Sequence, residues 1–447
     1  MACKTPNVRL AELLKEADWG GADLARAMNS LSSTRQSWVR YDRTTVAHWL
    51  TGSRPRPPGP ALLVEALSRR LKRPVTAADA GLAKSYPPHT TLHRLTLDEP
   101  AAVRTLSALL RAETAINRRH SADAAYMPFA VPALKAAVGD LLTKAPHPAR
   151  PEATSAMVEL EDMTHTFARL FHLYGSGPVR RLLAHYLDEE VIPLLTERPG
   201  RLPLLGGASQ LAHLLADMNV DATNDAAAQR YYHLSYALAH QAGNRVQAAI
   251  TLRALSAQAC HLGHIGYAAQ LSDAAVDAGG GDAPAGTKSF LLAQQALMQA
   301  RQGRPRVALS TLGTAERAHE QATSMDGPFT DYPRPALDYQ RAQVFFALGE
   351  GRHVQQAFEA SLHHRENGQH RALALTQARY AQTLLHNGYL EAASRYWLDF
   401  LDHYPHVRST LARQELGVLL RCLTPHRRQR QAADVLERAS LYTRSSR

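Results

Sequence analysis

Between Tyr41 and Pro57 the chain sets arginine, threonine and histidine at spacings that gather them on one side of a short helix. Asp42 is positioned to cap the first turn. Val46, Trp49 and Leu50 stand three and four residues apart and share an apolar side, which leaves Arg43, Thr44, Thr45 and His48 facing outward. Gly52 suits the end of the helix and Pro55 prevents its resumption. The chemistry of such a face is readout of a DNA major groove. A guanidinium can bond a guanine edge in bidentate fashion, and a threonine can meet a thymine methyl or a phosphate. Arg54 and Arg56, just past the helix, suit phosphate contact. Arg35 and Arg40, before it, are further candidates for phosphate contact, although solvated loop arginines would look the same. On local pattern alone an ordinary surface helix reads equally well.

Other chemistry is poorly supported. None of the 22 histidines falls in an HExxH pattern or a His/Cys cluster of ligand spacing, and the adjacent His363 and His364 point in different directions on a helix. Cys3, Cys260 and Cys422 are far apart and form no redox or metal pair, which favours a reducing compartment. Gly175-Ser176-Gly177-Pro178 lacks the lysine and helix context of a phosphate loop and reads as a turn. There is no serine nucleophile elbow and no obvious carboxylate pair. The expectation is therefore no enzyme, no metal and no cofactor.

The elements that would position the 41–57 helix come next. Length alone suggests two or three domains for 447 residues. The net charge of +11 is uneven: residues 1–85 carry +7, residues 421–447 carry +5, and the rest is close to neutral. A basic head on a neutral body places any polyanion-binding function in the head. The basic tail says less, because Arg427, Arg428 and Arg430 can simply solvate a last helix. Short helical patterns run over Val8–Ala17 (with Val8, Leu10, Leu13 and Leu14 on one side), Ala22–Ser30 and Ala61–Leu71, with a last turn over Thr76–Leu82 in which Thr76 is a plausible cap. Helices this short bury one compact core, and Trp49 is expected inside it. Residues 84–100 read as a linker, Ala101–Asn117 as a helix, and Pro146–Pro151 as a second break.

From about residue 155 the pattern is helical throughout and repeats. Helix pairs run over about 245–278, 287–320, 335–366, 369–403 and 407–440. The first four turn at Gly263, Gly303, Gly349 and Gly388, and alanines follow each turn. The fifth turns at Pro425. Small residues after a turn let two helices approach closely, as in tetratricopeptide-type hairpins. The glycines stand 40, 46 and 39 residues apart, longer than the standard repeat, so an irregular α-solenoid is expected. No apolar run reaches the roughly 18 residues of a membrane span, and Met1–Pro6 has no signal-peptide core.

The head resembles helix-turn-helix domains of the Cro/C1 type through Leu24-Ala25, Val46-Ala47-His48-Trp49-Leu50-x-Gly52-x-x-Pro55 and Leu63–Leu71. The chain as a whole resembles actinobacterial transcriptional regulators that join such a head to a tetratricopeptide body, also through Tyr41–Thr44, Tyr174-Gly175, Ala228–Tyr232 and Ala242–Asn244. More distantly it resembles the peptide-sensing regulators of Gram-positive bacteria, whose concave repeat surface holds a signalling peptide. One departure stands out. A compact helix-turn-helix joins its second and third helices by three or four residues, whereas Asn29 to Tyr41 intervenes here, so either the second helix is extended or the turn has become a loop.

The expected fold is thus all-α: a helix-turn-helix head over 1–85, a linker and helical connector over 86–154, and a TPR-like α-solenoid over 155–447. The expected function is a cytoplasmic, sequence-specific transcriptional regulator on a double-stranded DNA operator, whose body binds a peptide, small-molecule effector or partner protein and/or pairs two copies as a homodimer to control operator binding, with no membrane partner. Tyr232, Tyr236, Gln258, Tyr339, Gln343, Arg379 and Gln382 fall on first helices of successive pairs, which line the concave face in tetratricopeptide arrays, and are the candidate ligand contacts. The rival expectation is a protein-interaction scaffold without specific DNA binding.

Overall fold

The computed structural model describes residues 5–34, 40–56, 59–71, 73, 75, 77–82, 99–114, 126, 155–197, 202–279, 281, 283–322, 332–366 and 368–444. These residues form an all-α protein, with no strand among them. Arg35, Trp38 and Thr76, with most of the expected linker and connector, lie outside the described residues.

Four helices open the chain: α1 (Val8–Glu16), α2 (Gly21–Thr34), α3 (Arg43–Leu50) and α4 (Gly59–Leu71). Leu10, Leu24, Met28, Val46, Leu62, Leu63 and Leu67 are fully buried between them. Val8, expected inside, is instead exposed, because α1 turns the Leu10, Leu13 and Leu14 side to the core. Asn7 fixes the entry of the chain. Its Oδ1 caps Leu10 N, its Nδ2 donates to Ala80 O at 2.8 Å, and its own N–H donates to Leu50 O at 2.8 Å.

Helix α5 (Glu99–Thr114) packs against the remainder of the chain, held where Tyr231 donates to Glu113 and Arg180 pairs with Glu113. Then come α6 (Ser155–Tyr174), α7 (Ser176–Tyr186), a π-helical turn (Leu187–Val191) and α8 (Ile192–Glu197). Six helical hairpins follow: α9–α10 (Leu202–Asp221 and Asp225–Gln241), α11–α12 (Arg245–His261 and Ile265–Gly279), α13–α14 (Ala285–Arg301 and Pro305–Glu320), α15–α16 (Arg334–Leu348 and Gly351–His363), α17–α18 (His370–His386 and Leu390–His403) and α19–α20 (Thr410–Leu423 and Arg430–Arg444). Successive hairpins pack on one another in chain order.

The turn glycines 263, 303, 349 and 388 all have positive φ, so each supplies the left-handed residue that ends the first helix. In the α9–α10 turn that place is taken by Thr223, with φ +58°, in the same pattern of backbone hydrogen bonds. A β-branched residue is strained there. Thr223→Gly is therefore expected to raise stability by about 1 kcal/mol, read as an upward shift of the urea midpoint. A lowered midpoint contradicts this reading of the turn.

The last hairpin returns to the beginning of the series. Arg408 N donates to Tyr174 O at 2.7 Å and Gly177 N to Arg408 O at 2.9 Å. A Cβ on Gly177 would lie 2.7 Å from that carbonyl oxygen, so this strand-like exchange requires glycine. Beneath it sits Asp221, fully buried, which accepts from Arg371 Nε (2.8 Å), Ser409 Oγ (2.7 Å) and Ser176 N (3.0 Å). Burial alone would raise the Asp221 carboxyl. The Arg371 charge and the bonds from Ser176 and Ser409 outweigh it and hold the group below the usual carboxylate range.

Beside this seam the rings of His370 and His406 stack at 4.4 Å, and His370 Nδ1 lies 3.0 Å from His403 Nδ1. One of these two nitrogens must donate and the other accept, so full protonation of both rings is incompatible with the contact. Burial and the neighbouring rings push His370 and His403 below their ordinary 6.5; Asp402, itself bonded by Arg438, opposes this at His403. The unfolded chain therefore binds protons first as pH falls through 6.5, and stability is lost in that window. The thermal midpoint should drop between pH 7.5 and pH 5.5 (about one unit either side of an ordinary histidine), and His403→Asn should blunt the drop. An identical pH profile in the variant would exclude the cluster as its source.

Candidate nucleic-acid interface

Helix α3 is only eight residues long and depends on its ends. Asp42 Oδ1 accepts from Thr45 N at 2.7 Å and from the Thr45 hydroxyl at 2.6 Å, which together hold the Asp42 carboxyl below its usual range. At the other end Ser53 N donates to His48 O, Gly52 N to Trp49 O, and Gly52 has φ +99°. Val46 and Trp49 are buried, and Trp49 meets the Tyr41 ring edge-on at 5.5 Å. Trp49 is thus a packing residue.

The opposite face is open. Arg43, Thr44 and His48 are exposed on α3, and Arg40, Arg54 and Arg56 are exposed on its flanks. Thr45 is half-buried and its hydroxyl proton is committed to Asp42, so its free capacity toward a base is its methyl group and oxygen lone pair. Arg35 lies outside the described residues. Four guanidinium groups and an imidazole are thereby presented around one short helix, with Asp42 already satisfied by its cap. The arrangement can donate to phosphate oxygens and to purine acceptors.

Helix α2 runs on to Thr34, past its expected end at Ser30, and so takes up part of the long Asn29–Tyr41 interval; residues 35–39 lie outside the described residues. A two-point clamp keeps α3 in register despite the length. Asn29 Nδ2 donates to Tyr41 O at 2.7 Å and Tyr41 N donates to Asn29 Oδ1 at 2.8 Å. Asn29 was not among the predicted site residues. An asparagine within a helical pattern carries no sequence signal that it will reach a backbone twelve residues away.

The head also touches the hairpins. On α4, Arg69 Nη2 donates to Glu65 Oε1 at 2.8 Å and to Leu262 O at 3.1 Å, and His264 Nε2 lies 3.2 Å from the buried Glu65. Tyr126 stacks on the His264 ring at 5.2 Å. The turn of the α11–α12 hairpin is therefore the point at which the body meets the head.

The candidate ligand residues separate into two groups. Tyr232 and Tyr236 are buried, Tyr232 donating to Asp217, and buried Gln258 donates to Asp225 O at 2.8 Å. These three are engaged within the chain's own packing. Tyr339, Gln343, Arg379 and Gln382 keep partial exposure. Tyr339 packs edge-on against Phe358, Arg379 lies over Phe346 at 5.9 Å, and Gln382 donates to Glu415 at 2.6 Å. Tyr232 and Tyr236, expected on a first helix, sit instead on α10, the second helix of its hairpin, because the α9–α10 turn at Thr223 carries no glycine signal; the other five lie on first helices, a position that does not distinguish groove from inter-hairpin core. Among the described residues no group of three or more His, Cys, Asp or Glu is arranged to hold a metal ion, and no helix is long and apolar enough to cross a membrane.

Residues 10–83 match the family model described as the SP15 N-terminal domain. The match takes in the four opening helices and stops short of the hairpins. No curated protein and no solved structure matches the chain.

Proposed function

We propose that the protein is a sequence-specific DNA-binding transcriptional regulator. In this reading residues 1–85 form a helix-turn-helix head, residues 86–154 a connector, and residues 155–447 a TPR-like α-solenoid that senses an effector and pairs two copies. The observation that carries it is the division of α3: Val46 and Trp49 inside, Arg43, Thr44 and His48 outside, with Arg54 and Arg56 directly after. That face belongs to the segment holding +7 of the charge. Arg43, Thr44, Thr45 and His48 then read base edges, while Arg40, Arg54 and Arg56 hold phosphates.

The regulator acts in the cytoplasm as a homodimer on a two-half-site operator. A peptide or small-molecule effector in the hairpin groove biases the geometry of the body. The Glu65–Arg69–His264 contact offers a route for that bias to reach α4 and, through the shared head core, α3. Selection of the full chain on random-sequence duplexes is the test. An enriched motif with two related half-sites is expected. Recovery of no motif contradicts the reading and leaves the hairpins as a protein-interaction scaffold.

A further inference from the structure

The place where the hairpin series closes on itself holds a cavity. It lies between the start of α7 and the start of α19 and measures about 450 Å³, a size that takes a small organic ligand. Gly177 and Pro178 form one wall, and Tyr404, Val407, Arg408 and Arg413 form the other. No Asp or Glu belongs to the lining. Two guanidinium groups thus share one space without a carboxylate. Both arginines are exposed, and neither forms an ion pair with an acidic side chain among the described residues.

The closure of the series fixes one of the two groups in place. Arg408 is held through its backbone, its N–H donating to Tyr174 O and its carbonyl accepting from Gly177 N. The approach is close enough that a Cβ on Gly177 would lie 2.9 Å from the Arg408 Cβ. These bonds use the Arg408 backbone, which leaves its guanidinium to the cavity. Ser409 is already committed: its hydroxyl donates to Asp221 and accepts from Ala412 N. Asp221 in turn is buried and spends its charge on Arg371. Helix α19 begins at Thr410, in the lining, and the positive end of its backbone dipole adds to the two cations.

We propose that this cavity binds a small organic anion, a carboxylate or phosphate group carried on an apolar body. The oxyanion accepts from Arg408 and Arg413, whose planar donor forks match either group. The apolar body lies against Tyr404, Val407 and Pro178. A ligand held there touches the first and last parts of the series at once. It therefore favours the closed arrangement over any state in which residues 174–178 and 404–409 have separated. The site shares no residue with Tyr339, Gln343, Arg379 and Gln382, and it does not depend on what the head binds.

The test is thermal unfolding and amide hydrogen exchange of the full chain in phenyl phosphate or in benzoate, each against chloride at matched ionic strength. Wild type is expected to gain several degrees, saturably, in at least one of the two, by mass action on the folded state. Whichever anion acts separates the phosphate from the carboxylate source. At about ten times the dissociation constant, exchange across residues 174–180 and 404–413 should slow about tenfold, while exchange across residues 8–34 of the head stays as in chloride. Arg408→Met and Arg413→Met should each lose both responses while unfolding no earlier than wild type in chloride. Arg427→Met, an exposed arginine outside the cavity, should keep both. No saturable gain in either anion overturns the proposal, as does a gain that either cavity variant retains or that Arg427→Met abolishes. A gain without slowed exchange at the seam puts the anion elsewhere and also overturns it. So does earlier unfolding of both cavity variants in chloride, since that marks the arginines as structural.

Discussion

Asp221→Ala is expected to lower the unfolding free energy of the hairpin body by about 3–5 kcal/mol, the largest single effect among the substitutions considered. The carboxylate is fully buried and holds three donors from three parts of the chain: Arg371 on α17, Ser409 before α19 and Ser176 at the start of α7. Truncation strands the Arg371 guanidinium, whose side chain is only 18% exposed. It also leaves the Ser176 amide without its acceptor, a loss of about 1–3 kcal/mol on its own. The Asp221→Asn variant should fall between, because an amide oxygen can still accept but no longer offsets the charge. Pairing Asp221→Leu with Arg371→Met should recover much of the loss, since removing both partners removes the stranded charge. Urea unfolding followed by far-ultraviolet circular dichroism measures this. A midpoint for Asp221→Ala within error of wild type would mean that the seam between residues 174–177 and 408–409 does not hold the series closed.

The second large effect is on DNA. Arg43→Ala is expected to cost about 1–3 kcal/mol on the selected site and to relax base preference at one position. Arg54→Ala should weaken binding nearly evenly across sequences and reduce the salt slope by about 1, the signature of one lost phosphate contact. Neither side chain is bonded within the chain in a way that would disturb folding: both are exposed, and α3 is held by Asp42, Val46 and Trp49 instead. Fluorescence anisotropy with selected and shuffled duplexes distinguishes the two. Unchanged binding in both variants would contradict the placement of the interface on α3.

Much of this architecture was legible in the residues because the relevant forces are local. The three- and four-residue spacing of Val46, Trp49 and Leu50 marks the buried side of α3. Gly263, Gly303, Gly349 and Gly388 mark hairpin turns because a left-handed backbone strongly favours glycine. Where a non-glycine fills that role the signal fails. Thr223 hides the α9–α10 turn, so the first hairpin of the series was not among the expected pairs. Interactions between distant segments left no periodic trace at all. Asp221 meets Arg371 150 residues on, and Asn29 grips the Tyr41 backbone across an interval whose length suggested a broken motif. The candidate ligand residues expose a related limit. Tyr232, expected on a first helix like Tyr339, sits on the second helix of its hairpin and is buried there, whereas Tyr339 on a first helix is partly open.

The central claim is that this chain reads DNA sequence through α3. Its most direct test is the affinity of the full-length protein for a selected duplex and for a shuffled duplex of equal composition, across a series of salt concentrations. The account predicts a preference of about 10³-fold or more for the selected duplex, with affinity for both falling steeply and linearly on logarithmic axes as phosphate contacts give way to counterions. Equal affinity for the two duplexes at every salt concentration would contradict it.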